Sequence, residues 1–112
     1  MQREDVIRIR HMVEAAQSIQ QFMAGRQRSE FDADKMLLFA VVQALQIVGE
    51  AASKISLETR SATPSVPWVQ IVGMRNRLVH AYADINHDVV WKTVTEEIPA
   101  LLPLLLPLLP AD

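Results

Sequence analysis

The sequence predicts an all-α chain: one domain over residues 1–112, an antiparallel four-helix up-and-down bundle ending in a kinked, proline- and leucine-rich segment. Three observations carry that prediction. Apolar residues recur at three- and four-residue steps over long stretches, the period of an amphipathic helix. Neither a strand pattern, an internal repeat nor a glycine-rich phosphate loop is visible. The length suits a single hydrophobic core and is too short for two.

The first helix is expected over Glu4 to Ala24. Val6, Ile9, Met12, Val13, Ala16, Ile19 and Met23 form its inner side, with Arg8, Arg10, Glu14 and Gln17 on the other. Gly25 is the expected stop, because glycine tolerates the left-handed conformation that ends many helices. Arg26 to Glu30 reads as a short polar connector.

A longer second helix follows, with Ser29, Asp32 or Asp34 as candidate caps. Met36, Leu37, Phe39, Ala40, Val41, Leu45, Val48, Ala52 and Ile55 keep its period, and Val42, Ala44 and Ile47 widen the apolar face. A helix that apolar is buried from more than one side, in the middle of a bundle or at a dimer seam. Gly49 with Ala51 and Ala52 leaves room for another backbone. Glu50 among them needs a partner or solvent, and Arg75 or Arg77 is the candidate partner.

Ser56 to Pro67 reads as the one substantial loop. Ser65 is placed to cap a third helix, with Pro67 in its first turn and Trp68, Ile71, Val72, Leu78 and Val79 facing inward. Residues 83–86 break the pattern. Asn86 or Asp88 then caps a fourth helix through Val90, Trp91, Val94 and Ile98. Pro99, Pro103 and Pro107 follow four apart among seven leucines. Interior proline opposes helix, so regular helix is expected to reach about Ile98 and then kink, held by leucine burial.

Half the residues are apolar and 21% are charged, as in ordinary globular proteins. The absence of cysteine excludes disulfides, thiolate zinc sites and cysteine nucleophiles. The charged start, Met1 to Asp5, is unlike a signal peptide. Ile98 to Pro110 is too short to span a bilayer and is broken by proline. The expectation is a soluble cytoplasmic protein without membrane partners.

One stretch looks built for chemistry. Gly73 to Tyr82 carries Arg75, Asn76, Arg77, His80 and Tyr82, and no acidic residue occurs from Thr59 to Ala83. Arginine suits bidentate phosphate binding, and histidine moves protons near neutral pH. Arg and His without carboxylates or thiols point to phosphate-ester chemistry needing no metal or cofactor. On an unbroken helix Arg75 and Tyr82 lie within about 20° of each other, but His80 lies about 140° from Arg75. Convergence requires a bend, a wrapped arginine, or two chains pooling their motifs across a two-fold axis. The last option predicts a homodimer.

Arg75-Asn76-Arg77-Leu78-Val79-His80-Ala81-Tyr82 resembles the R-x4-H-x-Y signature of HEPN-domain toxins of the HepT type. Ile47 to Ala52, and Pro67-Trp68 through Ile71 to Gly73-Met74, are similar to the same family. The resemblance spans Glu4 to Pro99, and the tail is its least family-like part. It implies a HEPN-like helical fold and a homodimeric endoribonuclease toxin, with an MNT-type nucleotidyltransferase as antitoxin. It implies Arg75 and His80 as catalytic residues, Asn76 as their support, and Tyr82 as the site of adenylylation by the antitoxin. Arg77 reads as phosphate binder or partner to Glu50.

A chain of net charge −2 is a poor general RNA binder. The span from Arg60 to Arg77, joined by Arg26 and Arg28, is expected to supply a local basic patch. Two other readings stand beside the nuclease. One is a non-catalytic module that binds nucleotide or docks a nucleotidyltransferase. The other is a structural dimer whose motif is a solvated helix face.

Overall fold

A computed structural model of the chain describes residues 1–81 and 84–111, without the side chains of Arg75, Val79, His80 and Ala81. The described chain is mostly helical. Its spine is a pair of long helices, α1 (Arg3–Met23) and α3 (Lys35–Ser53), packed along each other. Ile9, Met12, Val13, Ala16 and Ile19 from α1 meet Val41, Leu45, Val48 and Ala52 from α3 in one core. Glu4 and Asp5 put negative charge on the first turn of α1, where the helix dipole favours it. Gly25, at φ +72°, turns the chain away after α1 as expected.

Both segments expected to be irregular contain short helices. The connector gives α2 (Arg28–Ala33), started by a reciprocal capping box between Gln27 and Glu30. Its fully buried Phe31 packs at 5.4 Å from the Trp91 ring and 5.9 Å from His87. The Asp34 carboxylate then caps α3, accepting the Leu37 N–H at 3.0 Å. The expected Ser56–Pro67 loop gives α4 (Leu57–Ala62), capped by the Ser56 hydroxyl. Six residues are too few to show a period, and so short a helix is stable only where tertiary contacts hold it.

For α4 those contacts come from Asp5. This carboxylate is 2% exposed and accepts the Ser56 N–H at 3.0 Å and the Ser56 and Thr59 hydroxyls at 2.6 Å each. Burial, the largest single influence, pushes the Asp5 pKa up, but the three hydrogen bonds together hold it below its ordinary value. The other end of the segment is tied by Trp68, whose indole N–H donates to Thr63 Oγ1 at 3.0 Å.

The expected third helix is two pieces. α5 (Trp68–Val72) and α6 (Met74–Leu78) meet at Gly73. Pro67 occupies the N-cap position without a side-chain cap, so Ser65 does not fill that role. The chain leaves helix at Leu78, earlier than expected, and two strands form where none was anticipated: β1 (Val79–Ala81) pairs antiparallel with β2 (Asp84–Ile85). The Asn86 N–H, donating to the Leu78 carbonyl at 2.9 Å, closes the base of this ladder. The Asn86 side chain then caps α7 (His87–Lys92).

A π-helical turn (Thr93–Glu97) leads from α7 into α8 (Ile98–Leu105) and a 3-10 turn (Leu106–Leu108). The irregularity therefore precedes the prolines, and helix continues past the expected end at Ile98. Proline cannot donate to the carbonyl four residues back and clashes with it. A widened turn just before Pro99, with Ile98 N–H reaching Thr93 O, accommodates that. The four-residue spacing keeps Pro99, Pro103 and Pro107 on one exposed side, while Ile98, Leu101, Leu102 and Leu105 are buried against the core. The tail is thus part of the core, packed on α1.

By length and composition α3 is long and apolar enough to cross a membrane, but more than half of it is buried within this fold, as a core helix would be. The broad apolar face is only partly covered. Met36, Phe39 and Ile47 stand 84%, 59% and 42% exposed along one side of α3.

The Asp5 clamp is testable. Asp5→Ala should cost about 2–3 kcal/mol in denaturant unfolding, since it leaves buried donors unpaired. Because the folded pKa is lowered, the carboxylate's contribution is complete above about pH 4 and is lost as pH falls through the folded value. Wild-type stability should fall more steeply below pH 4 than that of Asp5→Asn.

Candidate active site around α6

Arg75, Asn76 and Arg77 are carried by α6 and His80 by β1, and the position of α6 is set by how closely α5 approaches α3. A β-carbon on Gly49 would lie 3.3 Å from the Ile71 carbonyl oxygen, closer than most real contacts. The expected close backbone approach at Gly49 is therefore present, and its occupant is α5. Leu78, fully buried, and Met74, 4% exposed, pin α6 to the core.

Arg75 lies in α6 and His80 in β1. The helix ends between them, so the angle of about 140° expected on continuous helix does not apply here. Tyr82 lies outside the described residues. Asn76 is exposed and borders two open grooves, each of about 460 Å³. One runs between α1 and α3. The other lies towards α7 and the π-helical turn, with Arg77, Lys92 and Glu97 on its walls.

Of the two candidate partners of Glu50, the Arg75 side chain lies outside the described ones, and Arg77 needs correction. Glu50 reaches Lys54, one turn on, at 3.5 Å. Arg77 instead contacts Glu97 at 3.6 Å and donates to the Gln70 carbonyl at 3.0 Å. Glu50 faces the first groove with its side chain 64% exposed, so it needs no buried partner.

The expected basic patch also contracts. Arg60 donates to the Ile55, Ala52 and Ser53 carbonyls at 3.2, 2.9 and 3.2 Å, satisfying the end of α3. Arg28 bridges Asp32 at 3.0 Å and Asp88 at 2.6 Å, tying α2 to α7, and its guanidinium lies over Trp91. The hydrogen bond Arg28 donates to Asp88, then that to Asp32, raises the Arg28 pKa. His87, then Arg28, holds the Asp32 carboxyl below its usual range. These arginines are already committed to structural contacts.

Arg8, placed on the outer side of α1 by the sequence reading, is instead on the groove wall with His11, Gln43 and Gln46. Its Nε is buried and has no hydrogen-bond partner among the described residues. A helical wheel at about 100° per residue held the clue: Arg8 falls between Ala15 and Ile19, inside the buried arc.

The family described as ribonuclease HepT-like matches residues 12–107. The chain belongs to that family. The match runs into the proline-leucine tail, which the sequence resemblance left out. A candidate RNase of Methanocaldococcus jannaschii is 38% identical over 90 residues, 80% of this chain and 83% of the relative. The probable ribonuclease HepT of Thermococcus cleftensis is 39% identical over 90 residues, 80% and 82% of the two chains. A candidate RNase of Caldanaerobacter subterraneus subsp. tengcongensis is 33% identical over 93 residues, 83% of each. No solved structure matches the chain. Membership places the chain among ribonucleases.

The seat of α6 can be disturbed without touching it. Gly49→Val should push α5 off α3, costing about 1–3 kcal/mol by overpacking. RNA cleavage should fall further than the loss of folded protein accounts for, measured as specific activity against the folded fraction by circular dichroism.

Proposed function

We propose that this chain is a metal-independent endoribonuclease toxin, a soluble cytoplasmic protein working as a homodimer on a HEPN-like up-and-down helical bundle. One observation carries the reading. A chain of the ribonuclease HepT-like family holds the R-x4-H-x-Y signature across a break from helix to strand, with Arg75 on one side and His80 on the other. The break removes the geometric objection to these two residues serving one phosphate.

His80 takes the proton from an RNA 2′-hydroxyl, whose oxygen attacks the adjacent phosphorus and expels the 5′-oxygen. The second chain's His80 protonates that leaving oxygen. Arg75 stabilises the charge gathering on the phosphoryl oxygens, and Asn76, at the junction of the two grooves, holds the strand. The stripe of Met36, Phe39 and Ile47 supports the dimer, because these apolar residues lie open to solvent on α3. Ile47 also belongs to the wall of the first groove, so a two-fold contact there would set a second copy beside the site.

The partner in this reading is an MNT-type nucleotidyltransferase antitoxin. The Tyr82 phenol oxygen attacks the α-phosphorus of ATP on that enzyme and releases pyrophosphate. The adenylyl group left on Tyr82 brings bulk and negative charge next to the signature arginines and shuts RNA out.

In EDTA, wild type should cut single-stranded RNA, while His80→Ala and Arg75→Ala should lose at least about 100-fold in rate. A His80→Ala protein that is folded and cuts at the wild-type rate would leave the alternative, a helical module that docks the nucleotidyltransferase. Incubation with the neighbouring nucleotidyltransferase and ATP should raise the intact mass by adenylyl units, and Tyr82→Phe should abolish the gain.

A further inference from the structure

We infer that the groove between α1 and α3 is a second phosphate subsite for the RNA strand, with Arg8 as its anchor. This deepens the ribonuclease reading and rests on it. The groove is open, of about 460 Å³, and Asn76 of the signature forms part of its wall, so a strand lying at Asn76 can continue into it. Its other polar lining is mixed: the Gln43 and Gln46 amides, the His11 imidazole, and the Glu50 and Lys54 side chains. Amides donate and accept, which suits ribose hydroxyls and base edges. Lys54 faces Glu50 at 3.5 Å, so that charge is largely answered within the groove. Arg8 is different. It shows no ion pair among the described residues, and its buried Nε lacks a hydrogen-bond partner there.

A donor buried without an acceptor is unfavourable in the free protein. Arg8 Nε is itself closed to solvent, so the side chain must turn towards the groove it lines before an oxyanion can reach this donor. A phosphodiester oxygen supplies that acceptor, and guanidinium geometry suits it. A carboxylate from a second copy of the chain would satisfy the same donor. The groove favours RNA, because its Gln43, Gln46 and Asn76 amides match nucleotide edges and its wall continues into the signature helix.

The test uses a single-stranded 2′-O-methyl oligoribonucleotide, which lacks the attacking hydroxyl and stays intact. Its binding is measured by fluorescence anisotropy across a potassium chloride series, for wild type, Arg8→Met and Arg8→Lys. Arg8→Met should bind about tenfold more weakly, and its salt slope should be shallower by about 0.7. Arg8→Lys should keep the slope while losing part of the affinity. The thermal midpoint of Arg8→Met should equal or exceed that of wild type, since an unpaired buried donor is removed.

Arg8→Met binding with wild-type affinity and slope overturns the subsite. So does a wild type that does not bind the oligomer. A lowered midpoint, or a subunit dissociation seen by sedimentation that accounts for the weaker binding, also overturns it, assigning Arg8 to the fold or to a second copy. The nuclease reading fails separately: a wild type that binds through Arg8 but leaves unmodified RNA uncut refutes cleavage and keeps the subsite.

Discussion

The position of the signature depends on a missing side chain. Gly49 lets the Ile71 carbonyl come to where a β-carbon would stand at 3.3 Å, and α5 settles on α3 at that separation. Everything downstream inherits it. Gly73 ends α5, and α6 starts at once from a fixed origin. Buried Met74 and Leu78 set its rotation. Two apolar anchors within five residues fix which way the intervening positions point, so Asn76 faces outwards to both grooves. A helix this short contributes little of its own stability. Its geometry is borrowed from the long α1–α3 pair beneath it.

The arginines divide sharply by task. Arg60 serves the carbonyls at the end of α3, Arg28 joins α2 to α7, and Arg77 is shared between Glu97 and a backbone carbonyl. Each replaces water at groups that helix ends and surface carboxylates would otherwise present to solvent. Counting arginines along the sequence therefore overstates the cationic surface. The span without acidic residues looked basic because its counter-charges, Glu97 among them, come from elsewhere in the chain. Arg8 is the converse case, set on the groove wall with His11, Gln43 and Gln46 and lacking, among the described residues, an ion pair or an acceptor for its Nε.

The long helices were legible because periodicity is a property of long windows. α1 and α3 appeared with nearly their observed ends, and Gly25, Asp34 and Asn86 acted as the punctuation their side chains allow. The short helices were not legible. α2 and α4 are each six residues, and α4 exists because Asp5, some fifty residues earlier, reaches its first turn. Local sequence cannot announce a partner at that distance. The strand at Val79 was hidden for another reason: Leu78 and Val79 continue the inward helical pattern of α5 and α6, and only pairing with Ile85 shows that helix has ended. The signature was visible by residue type, whereas the groove beside it was not, since its walls come from α1, α3 and α6 together.

An RNA-cutting chain of net charge −2 offers its substrate no overall positive field and must rely on local cations. Counterion release scales with the number of phosphates neutralised, at about 0.7 in salt slope per contact for a single strand. With Arg28, Arg60 and Arg77 engaged internally, the proposed site relies on Arg75 at the scissile phosphate and Arg8 beside it. Binding should then be modest in salt dependence and small in footprint. In the proposed subsite a larger share of recognition would fall to amides, from Asn76, Gln43 and Gln46, which act at short range and survive screening better than lone charges. Under the proposed reading, such a site would take exposed single strands more readily than duplex, whose continuous backbone rewards broad basic surfaces.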